Sequence, residues 1–285
     1  MTDLAIASAA VVGFASGPAL RAAIVANLRP RRDPARGRCP CCSAPCLRWR
    51  PLVTAIPTAL WGRCPACRRR IGAPPAVIEL VNAGLLALLA LRVHPLFVLA
   101  ALGWAAAAGI ILVAIDASTR RLPDAVLAPT LVVVLVLLVV AGIVDHRSSE
   151  LVGALTGGAA TFAGYSLLAL VTAGLGFGDC KLAALLGLVL GWFGWEALAA
   201  GVTLGFLLAA CYLLARMVIG RFSPSEQIPL APFMLVGAFT VLLVVAGRRR
   251  LVGHRQLPLD LPSTGSRSLG FGCQNVRWMP WRSSC

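Results

Sequence analysis

The sequence predicts an all-α polytopic membrane protein with about eight transmembrane helices and a small cytoplasmic insertion that binds zinc through four cysteines. Hydrophobic residues make up 59% of the 285 positions and charged residues 13%, and the mean hydropathy is +0.84. A soluble domain carries about 25% charged residues. Most of the chain should therefore form helices that pack in lipid, because a helix satisfies its own backbone hydrogen bonds there.

Eight apolar runs are candidates for these helices, since a span needs about 20 predominantly apolar residues. The runs lie at 4–27, 76–93, 95–115, 125–144, 151–174, 182–195, 197–219 and 228–247. The sixth and seventh runs are short and hard to separate. The first run has no basic segment ahead of it and is interrupted by Gly13, Gly17 and Pro18. We therefore interpret it as a retained span and not as a signal peptide.

Charge and hydropathy divide the chain into four regions. Residues 1–27 form the first span, and the Arg-rich segment 28–75 that follows is assigned to the cytoplasm by the positive-inside rule. The predicted membrane domain occupies 76–247. The remainder, 248–285, is basic and without apolar periodicity, so we expect a disordered tail.

The predicted spans also give each loop a side of the membrane. Alternation from the insertion places 116–123, 176–181 and 220–227 in the cytoplasm and 145–149 outside. After eight spans the basic tail would lie outside, which conflicts with the charge rule. The loops 116–123 and 176–181, which contain Asp116 and Asp179, therefore lie on the same side of the membrane in this scheme.

The formal net charge of +15 is better explained by membrane orientation than by nucleic-acid binding. The basic residues are almost all arginine, with Lys181 as the only lysine. They cluster in loops between spans, where the positive-inside rule expects them. We therefore expect the lipid bilayer, and no nucleic acid, as a partner.

Two C-x-x-C pairs in the insertion predict a structural zinc site, because four thiolates complete a tetrahedral zinc coordination. The predicted ligands are Cys39, Cys42, Cys64 and Cys67. Either Cys41 or Cys46 could take the place of Cys42. A cytoplasmic location disfavours disulfides, and a metal with four sulfur ligands has no open position for catalysis.

Asp116 and Asp179 are candidate catalytic residues, because each lies where a predicted span meets the cytoplasm. Two neighbouring carboxyls share a proton over a wide pH range. One can then deprotonate a water while the other protonates the carbonyl or the leaving amine. Gly176 and Gly178 would allow a close backbone approach and unusual dihedral angles beside Asp179.

Each acid also has a purely structural explanation. Asp116 could be a helix-end residue that pairs with Arg120 or Arg121. Asp179 could cap the helix that begins near Lys181, whose side chain would then simply extend to the membrane surface. Asp124 follows Pro123 at a predicted helix start and has the character of a cap.

Four segments, in order, resemble the prepilin peptidases, the type IV prepilin leader peptidases. "GFGDCKLAALLG" resembles the family's G-x-G-D-x-K-L motif, and "AIDASTRRLPDAVLAP" resembles its first aspartate segment. "GRCPACRRRIGAPPAVIELVNAG" resembles its second cysteine pair and the helix start that follows. "IPLAPFMLVGAF" resembles its late Ile-Pro-x-x-Pro-Phe segment. Together they cover most of residues 37–240.

The resemblance implies a membrane aspartic endopeptidase of the bacterial inner, or cytoplasmic, membrane, with an active site that faces the cytoplasm. Its substrates would be type IV prepilin or pseudopilin precursors, from which it removes a short basic leader. Many family members also N-methylate the new amino terminus from S-adenosylmethionine, and the cysteine insertion is associated with that bifunctional type. The sequence has no Gly-rich nucleotide fingerprint of the Rossmann kind.

The resemblance also implies roles for individual residues. Asp116 and Asp179 match the catalytic pair, and the four cysteines of the two C-x-x-C pairs match the zinc ligands. The positions that match supporting residues of the active site are Gly176, Gly178, Lys181 and Glu79. For Glu79, a buried hydrogen bond and a substrate contact are equally compatible with the sequence.

Two other interpretations remain open on the sequence alone. A G-x-G-D intramembrane protease of the presenilin or signal-peptide-peptidase type would place Tyr before the first aspartate, where this chain has Ile115, and would lack the cysteine insertion. A zinc-stabilised membrane assembly or transport protein would distribute its acids through the depth of the spans.

Overall fold

The structure is a computed structural model that describes residues 2–27, 42, 66–69, 76–172, 176–220 and 229–255. Within these residues the regular structure is entirely α-helical. The helices are α1 Thr2–Asn27, α2 Val77–Arg92, α3 Leu96–Thr119, α4 Asp124–Val144, α5 Ser148–Val171, α6 Phe177–Trp192, α7 Trp195–Val218 and α8 Ala231–Arg255. Each predicted apolar run therefore corresponds to one helix.

Six of these helices are long and apolar enough to cross a membrane, namely α1, α3, α4, α5, α7 and α8. The other two, α2 and α6, have 16 residues each. At 1.5 Å per residue such a helix is about 24 Å long, whereas the hydrocarbon core is about 30 Å thick. The prediction of an all-α polytopic membrane protein is confirmed, and the span count of eight is approximate.

The sixth and seventh predicted runs are separated by a short break at Phe193 and Gly194. Gly194 has φ 105°, a backbone conformation that residues with a Cβ rarely adopt. This glycine ends α6 and allows α7 to begin at once. The last helix also ends later than predicted, because α8 extends to Arg255 and the predicted run ended at 247.

Helices that are consecutive in sequence form the most extensive packing pairs: α5 with α6, α1 with α2, α7 with α8, and α3 with α4. The short helix α6 also contacts α4, α7 and α8. Its side chains from Cys180 to Trp192 are almost all buried. A helix surrounded by other helices in this way needs neither a lipid-facing surface nor the full length of a span.

The close packing of α5 on α6 depends on glycine. A Cβ on Gly187 would lie 2.6 Å from the carbonyl oxygen of Gly157, which is too close for any side chain. The Thr161 hydroxyl lies 2.9 Å from the carbonyl oxygens of both Gly157 and Ala183, and so connects the two helices. Small residues allow such backbone approach in membranes, where burial of apolar surface gives little driving force.

The C-terminal ends of α1 and α3 and the N-terminal ends of α2, α4, α6 and α8 lie together; we call this side of the bundle the aspartate end. An apolar cluster of Leu20, Ile24, Ile78 and Ile115 joins α1, α2 and α3 there. Antiparallel packing of consecutive helices explains this convergence, because the C-terminus of one helix and the N-terminus of the next then lie on the same side.

We predict that Gly187→Leu will destabilise the bundle, because the new side chain would collide with the Gly157 backbone. Overpacking of a close contact costs at least about 1–3 kcal/mol. The melting temperature of the protein in mild detergent measures the effect. The matched control is Gly164→Leu on α5, where an added Cβ meets nothing within 4 Å. Equal melting temperatures for the two variants would contradict the packing argument.

Candidate active site

Asp179 lies in the first turn of α6 and accepts a hydrogen bond from the start of its own helix. The backbone N–H of Gly176, the N-cap residue, donates to Asp179 Oδ2 at 3.2 Å, so Asp179 at the third helical position satisfies an amide at the helix start. The structural explanation of Asp179 as a capping residue is therefore correct in part. Its carboxyl still has a second oxygen available for chemistry.

The two motif glycines contribute differently to this turn. Gly176 has φ −78°, so its backbone does not need glycine's freedom, contrary to the expectation of unusual dihedral angles. Gly178 instead allows a close contact between two segments of the chain, because a Cβ there would lie 2.9 Å from Cβ of Leu122. Leu122 belongs to the turn between α3 and α4, so this glycine brings the start of α6 against that turn.

Asp116 lies in the last full turn of α3, and only 5% of its surface is exposed. The backbone amide of Ala231, at the start of α8, donates a hydrogen bond to its carboxylate. Its Oδ2 atom is buried and has no partner among the described residues. Leaving a buried polar atom unpaired costs about 1–3 kcal/mol. A buried carboxyl oxygen of this kind is therefore a candidate for contact with a water or a substrate.

The structure brings Asp116 and Asp179 close enough for their charges to interact. Burial, with a smaller contribution from the negative charge of Asp116, raises the pKa of Asp179 from its ordinary value of 3.8 to about 6. The Gly176 N–H opposes this rise. The two carboxyls are therefore electrostatically coupled, and a shared proton between them stays a prediction.

Arg120 is the charged neighbour of Asp116. It ends α3 in a left-handed conformation, with φ 53°, and its backbone N–H donates to the Asp116 carbonyl oxygen at 2.8 Å. Its positive charge acts on the Asp116 carboxylate. The expected interaction of Asp116 with a following arginine is therefore present. Asp116 also interacts with Asp179, so the two roles do not exclude each other.

Lys181 and Asp124 form an ion pair at the aspartate end. Lys181 Nζ lies 2.6 Å from Asp124 Oδ1, and it also lies 5.1 Å from the centre of the Phe177 ring. The interpretation of Asp124 as a helix cap is wrong, because the N-cap of α4 is Pro123 and the Asp124 carboxylate turns to α6 instead. Lys181 does not simply extend into the aqueous phase, since it has this partner.

Glu79 forms a buried ion pair with Arg21 of α1. Arg21 Nη2 lies 2.8 Å from Glu79 Oε2, and both side chains are almost completely buried, at 2% and 5% exposed. Of the two roles open for Glu79, the structure shows the buried hydrogen bond. An intramembrane arginine is expensive and usually paired, and that rule could have identified Arg21 from the sequence.

The sequence reasoning also missed two polar residues of the membrane interior. Asn82 on α2 is fully buried and its amide donates to the Gly13 carbonyl and the Ser16 hydroxyl of α1, both at 2.9 Å. Tyr165 on α5 is buried, stacks on Phe206 at 5.5 Å and lies within electrostatic range of Asp179. A lone Asn or Tyr in an apolar run gives no pattern from which such contacts could be predicted.

The predicted zinc site falls largely outside the described residues. Cys39 and Cys64 lie outside them, whereas Cys42 is exposed and Cys67 is partly exposed. Residues 66 and 67 form a turn. In the part of the chain that the structure describes, no three potential ligands approach one another as a metal site requires. The zinc site therefore stays a prediction.

We predict that Asp179→Asn will stabilise the folded protein at neutral pH. Because the pKa of Asp179 is higher in the folded protein than in the unfolded chain, ionisation of its carboxyl opposes folding. This penalty is absent below about pH 4, where both states are protonated, and complete above about pH 6. We expect a gain on the order of 1–3 kcal/mol above pH 6 that disappears towards pH 4.

The measurement is the melting temperature in mild detergent across this pH range. Asp145→Asn, in the exposed turn at the opposite end of the bundle, is the matched control and should show no such pH-dependent difference. An Asp179→Asn variant that melts below the wild type at pH 7 would contradict the burial penalty.

Comparison with known proteins agrees with this geometry. The profile of the Type IV leader peptidase family matches residues 104–246, a segment that contains both aspartates. Relatives named prepilin leader peptidase/N-methyltransferase are 30% identical over 224 residues in Aeromonas salmonicida, covering 73% of this chain and 71% of the relative. In Burkholderia pseudomallei the identity is 34% over 210 residues, covering 73% and 66%. No solved structure matches the chain. The chain belongs to the type IV leader peptidase family.

Proposed function

We propose that this protein is a membrane aspartic endopeptidase that removes the short leader peptide from type IV prepilin or pseudopilin precursors. The observation that supports the proposal most directly is the pair of interacting carboxyls, Asp116 and Asp179, at one end of a helical bundle. Family membership supplies the substrate class, because the relatives are named prepilin leader peptidases.

In the proposed mechanism Asp116 and Asp179 share one proton and bind a water between them. The ionised carboxylate takes a proton from this water as the water oxygen attacks the scissile carbonyl carbon. The protonated carboxyl stabilises the developing oxyanion and then gives its proton to the leaving amine. The pair ends the cycle with one proton, as it began. The unpaired Oδ2 of Asp116 is available for such a contact with the water.

The location of the pair suits a substrate that is itself anchored in the membrane. Asp116 is in the last turns of α3 and Asp179 in the first turn of α6, so both lie at helix ends and not at the bundle centre. A leader that projects from the membrane surface would reach this position while the hydrophobic helix of the precursor stays in lipid. The Arg-rich segment 28–75 favours the cytoplasmic side of the inner membrane for this end.

The proposal predicts that Asp116→Asn and Asp179→Asn will each abolish cleavage. Loss of either carboxyl removes the shared proton, and we expect the rate to fall by at least about 1,000-fold, since each carboxyl contributes acid–base catalysis worth about 10²–10⁴-fold. Cleavage of a pilin-like precursor in isolated membranes is the measurement, with membrane insertion of each variant checked by extraction.

The control is Asp145→Asn at the opposite end of the bundle, which should cleave at the wild-type rate. Substantial cleavage by either active-site variant would exclude the proposed pair. A wild-type protein that inserts correctly and leaves several pilin-like precursors uncut would exclude the substrate class.

The proposal includes a structural zinc ion in the insertion, held by Cys39, Cys42, Cys64 and Cys67. Thiolate ligands in two C-x-x-C pairs fit zinc chemistry, and the turn at residues 66 and 67 fits the second pair. Cys41 or Cys46 could still replace Cys42. The ion would order the insertion and take no part in peptide cleavage.

We predict that Cys39→Ser will lower the zinc content of the purified protein from about one ion per chain, because a structural zinc site needs all four ligands. Elemental analysis after detergent purification measures the metal. Cys211→Ser, on the exposed surface of α7, is the control and should keep the wild-type content. Unchanged zinc in Cys39→Ser would remove this cysteine from the site.

The relatives' names also support a second activity, N-methylation of the new amino terminus with S-adenosylmethionine as the methyl donor. The sequence has no Gly-rich nucleotide fingerprint of the Rossmann kind. We therefore include methyl transfer in the proposal without deriving a step for it.

A further inference from the structure

The ion pair between Asp124 and Lys181 joins the two segments that contain the candidate catalytic acids. Lys181 lies in the first turns of α6, shortly after Asp179, and Asp124 is the first residue of α4, at the end of the turn that follows Asp116. The Nζ–Oδ1 distance is 2.6 Å. A second contact connects the same segments, because Gly178 packs directly against Leu122.

This ion pair is too exposed to be important for overall stability. The side chains of Lys181 and Asp124 are 29% and 67% exposed, and exposed ion pairs contribute little to folding. Its geometric effect is different. The α3–α4 turn and the start of α6 are not continuous in sequence, so the distance between the two carboxyls depends on contacts between separate elements. The ion pair is one contact of this kind close to both acids.

We propose that the Asp124–Lys181 ion pair sets the separation of the Asp116 and Asp179 carboxyls, so that Asp124 and Lys181 are positioning residues for peptide cleavage. The inference rests on the proposed peptidase function. A displacement of about 1 Å in a catalytic group can cost about 100-fold in rate. A contact that is weak in energy can therefore have a large effect on the reaction.

The test is a double-mutant cycle with Asp124→Asn, Lys181→Met and the two together, assayed on a purified pilin-like precursor. We expect each single change to lower kcat by about 10–100-fold while KM stays within about twofold. The double variant should be no slower than the slower single variant, because both changes remove the same interaction. Melting temperatures should stay close to the wild type.

Two further variants separate positioning from other roles of these residues. Lys181→Arg keeps the ion pair and should retain most of the activity. As a control for loss of any surface ion pair, Arg147→Met and Glu150→Gln disrupt the pair at the opposite end of the bundle, where the N–O distance is 3.8 Å. Both control variants should cleave at the wild-type rate.

The pH profile of kcat/KM gives an independent readout. If the pair holds the carboxyls together, either single change separates them and weakens the repulsion between the two carboxylates. The alkaline limb, which reports the second ionisation of the pair, then moves to lower pH. A simple charge effect would move it in opposite directions, because removal of the Asp124 negative charge lowers a neighbouring pKa and removal of the Lys181 positive charge raises it.

The outcomes distinguish the inference from the proposed function. Wild-type kcat in Asp124→Asn, additive losses in the double variant, or a change confined to KM would overturn positioning while the peptidase proposal stands. A lower kcat in Lys181→Met but not in Asp124→Asn would assign Lys181 to direct contact with the substrate, and would also overturn the positioning inference. Absence of cleavage by the wild type would overturn the proposed function, and the inference with it.

Discussion

The cost of placing charge in hydrocarbon is the constraint on which the rest of the structure depends. An ionised side chain at the bilayer centre costs at least about 2.5–3.5 kcal/mol. In the described helices, acidic and basic residues accordingly lie near the helix ends or, like Arg21, are buried in an ion pair. Alternation of helix direction collects one set of these ends on one side. The candidate site arises there because that is where this chain can hold two carboxyls.

Helix α6 carries one of the two carboxyls of the candidate site, that of Asp179. Its first turn holds the Asp179 carboxyl in a partly buried position, which raises the pKa of Asp179 to about 6 and makes ionisation unfavourable. Glycine on α5 and α6 permits the close approach of the two backbones that holds α6 in place. Catalytic sites commonly contain groups whose replacement stabilises the fold.

Much of this arrangement could be predicted from the sequence, because apolar runs and charge placement are direct consequences of the membrane. The eight runs correspond to the eight described helices, and Asp116 and Asp179 meet at one end as expected. The pairing of polar side chains could not be predicted in the same way. Asp124 follows Pro123 as a cap would, yet it pairs with Lys181. That partner depends on how α4 packs beside α6, which periodicity within either helix does not specify.

The two ion pairs of the aspartate end illustrate why burial decides what a charge contributes. Arg21 and Glu79 are buried together, so the removal of one partner would leave an uncompensated charge, a loss typically worth about 3–5 kcal/mol. This pair therefore secures α1 against α2. Asp124 and Lys181 are partly hydrated, and water can replace either partner at little cost in stability. An ion pair of the second kind has little influence on whether the protein folds. Its remaining effect is on geometry, and the geometry it fixes is that of the turn after Asp116 and the helix start that contains Asp179.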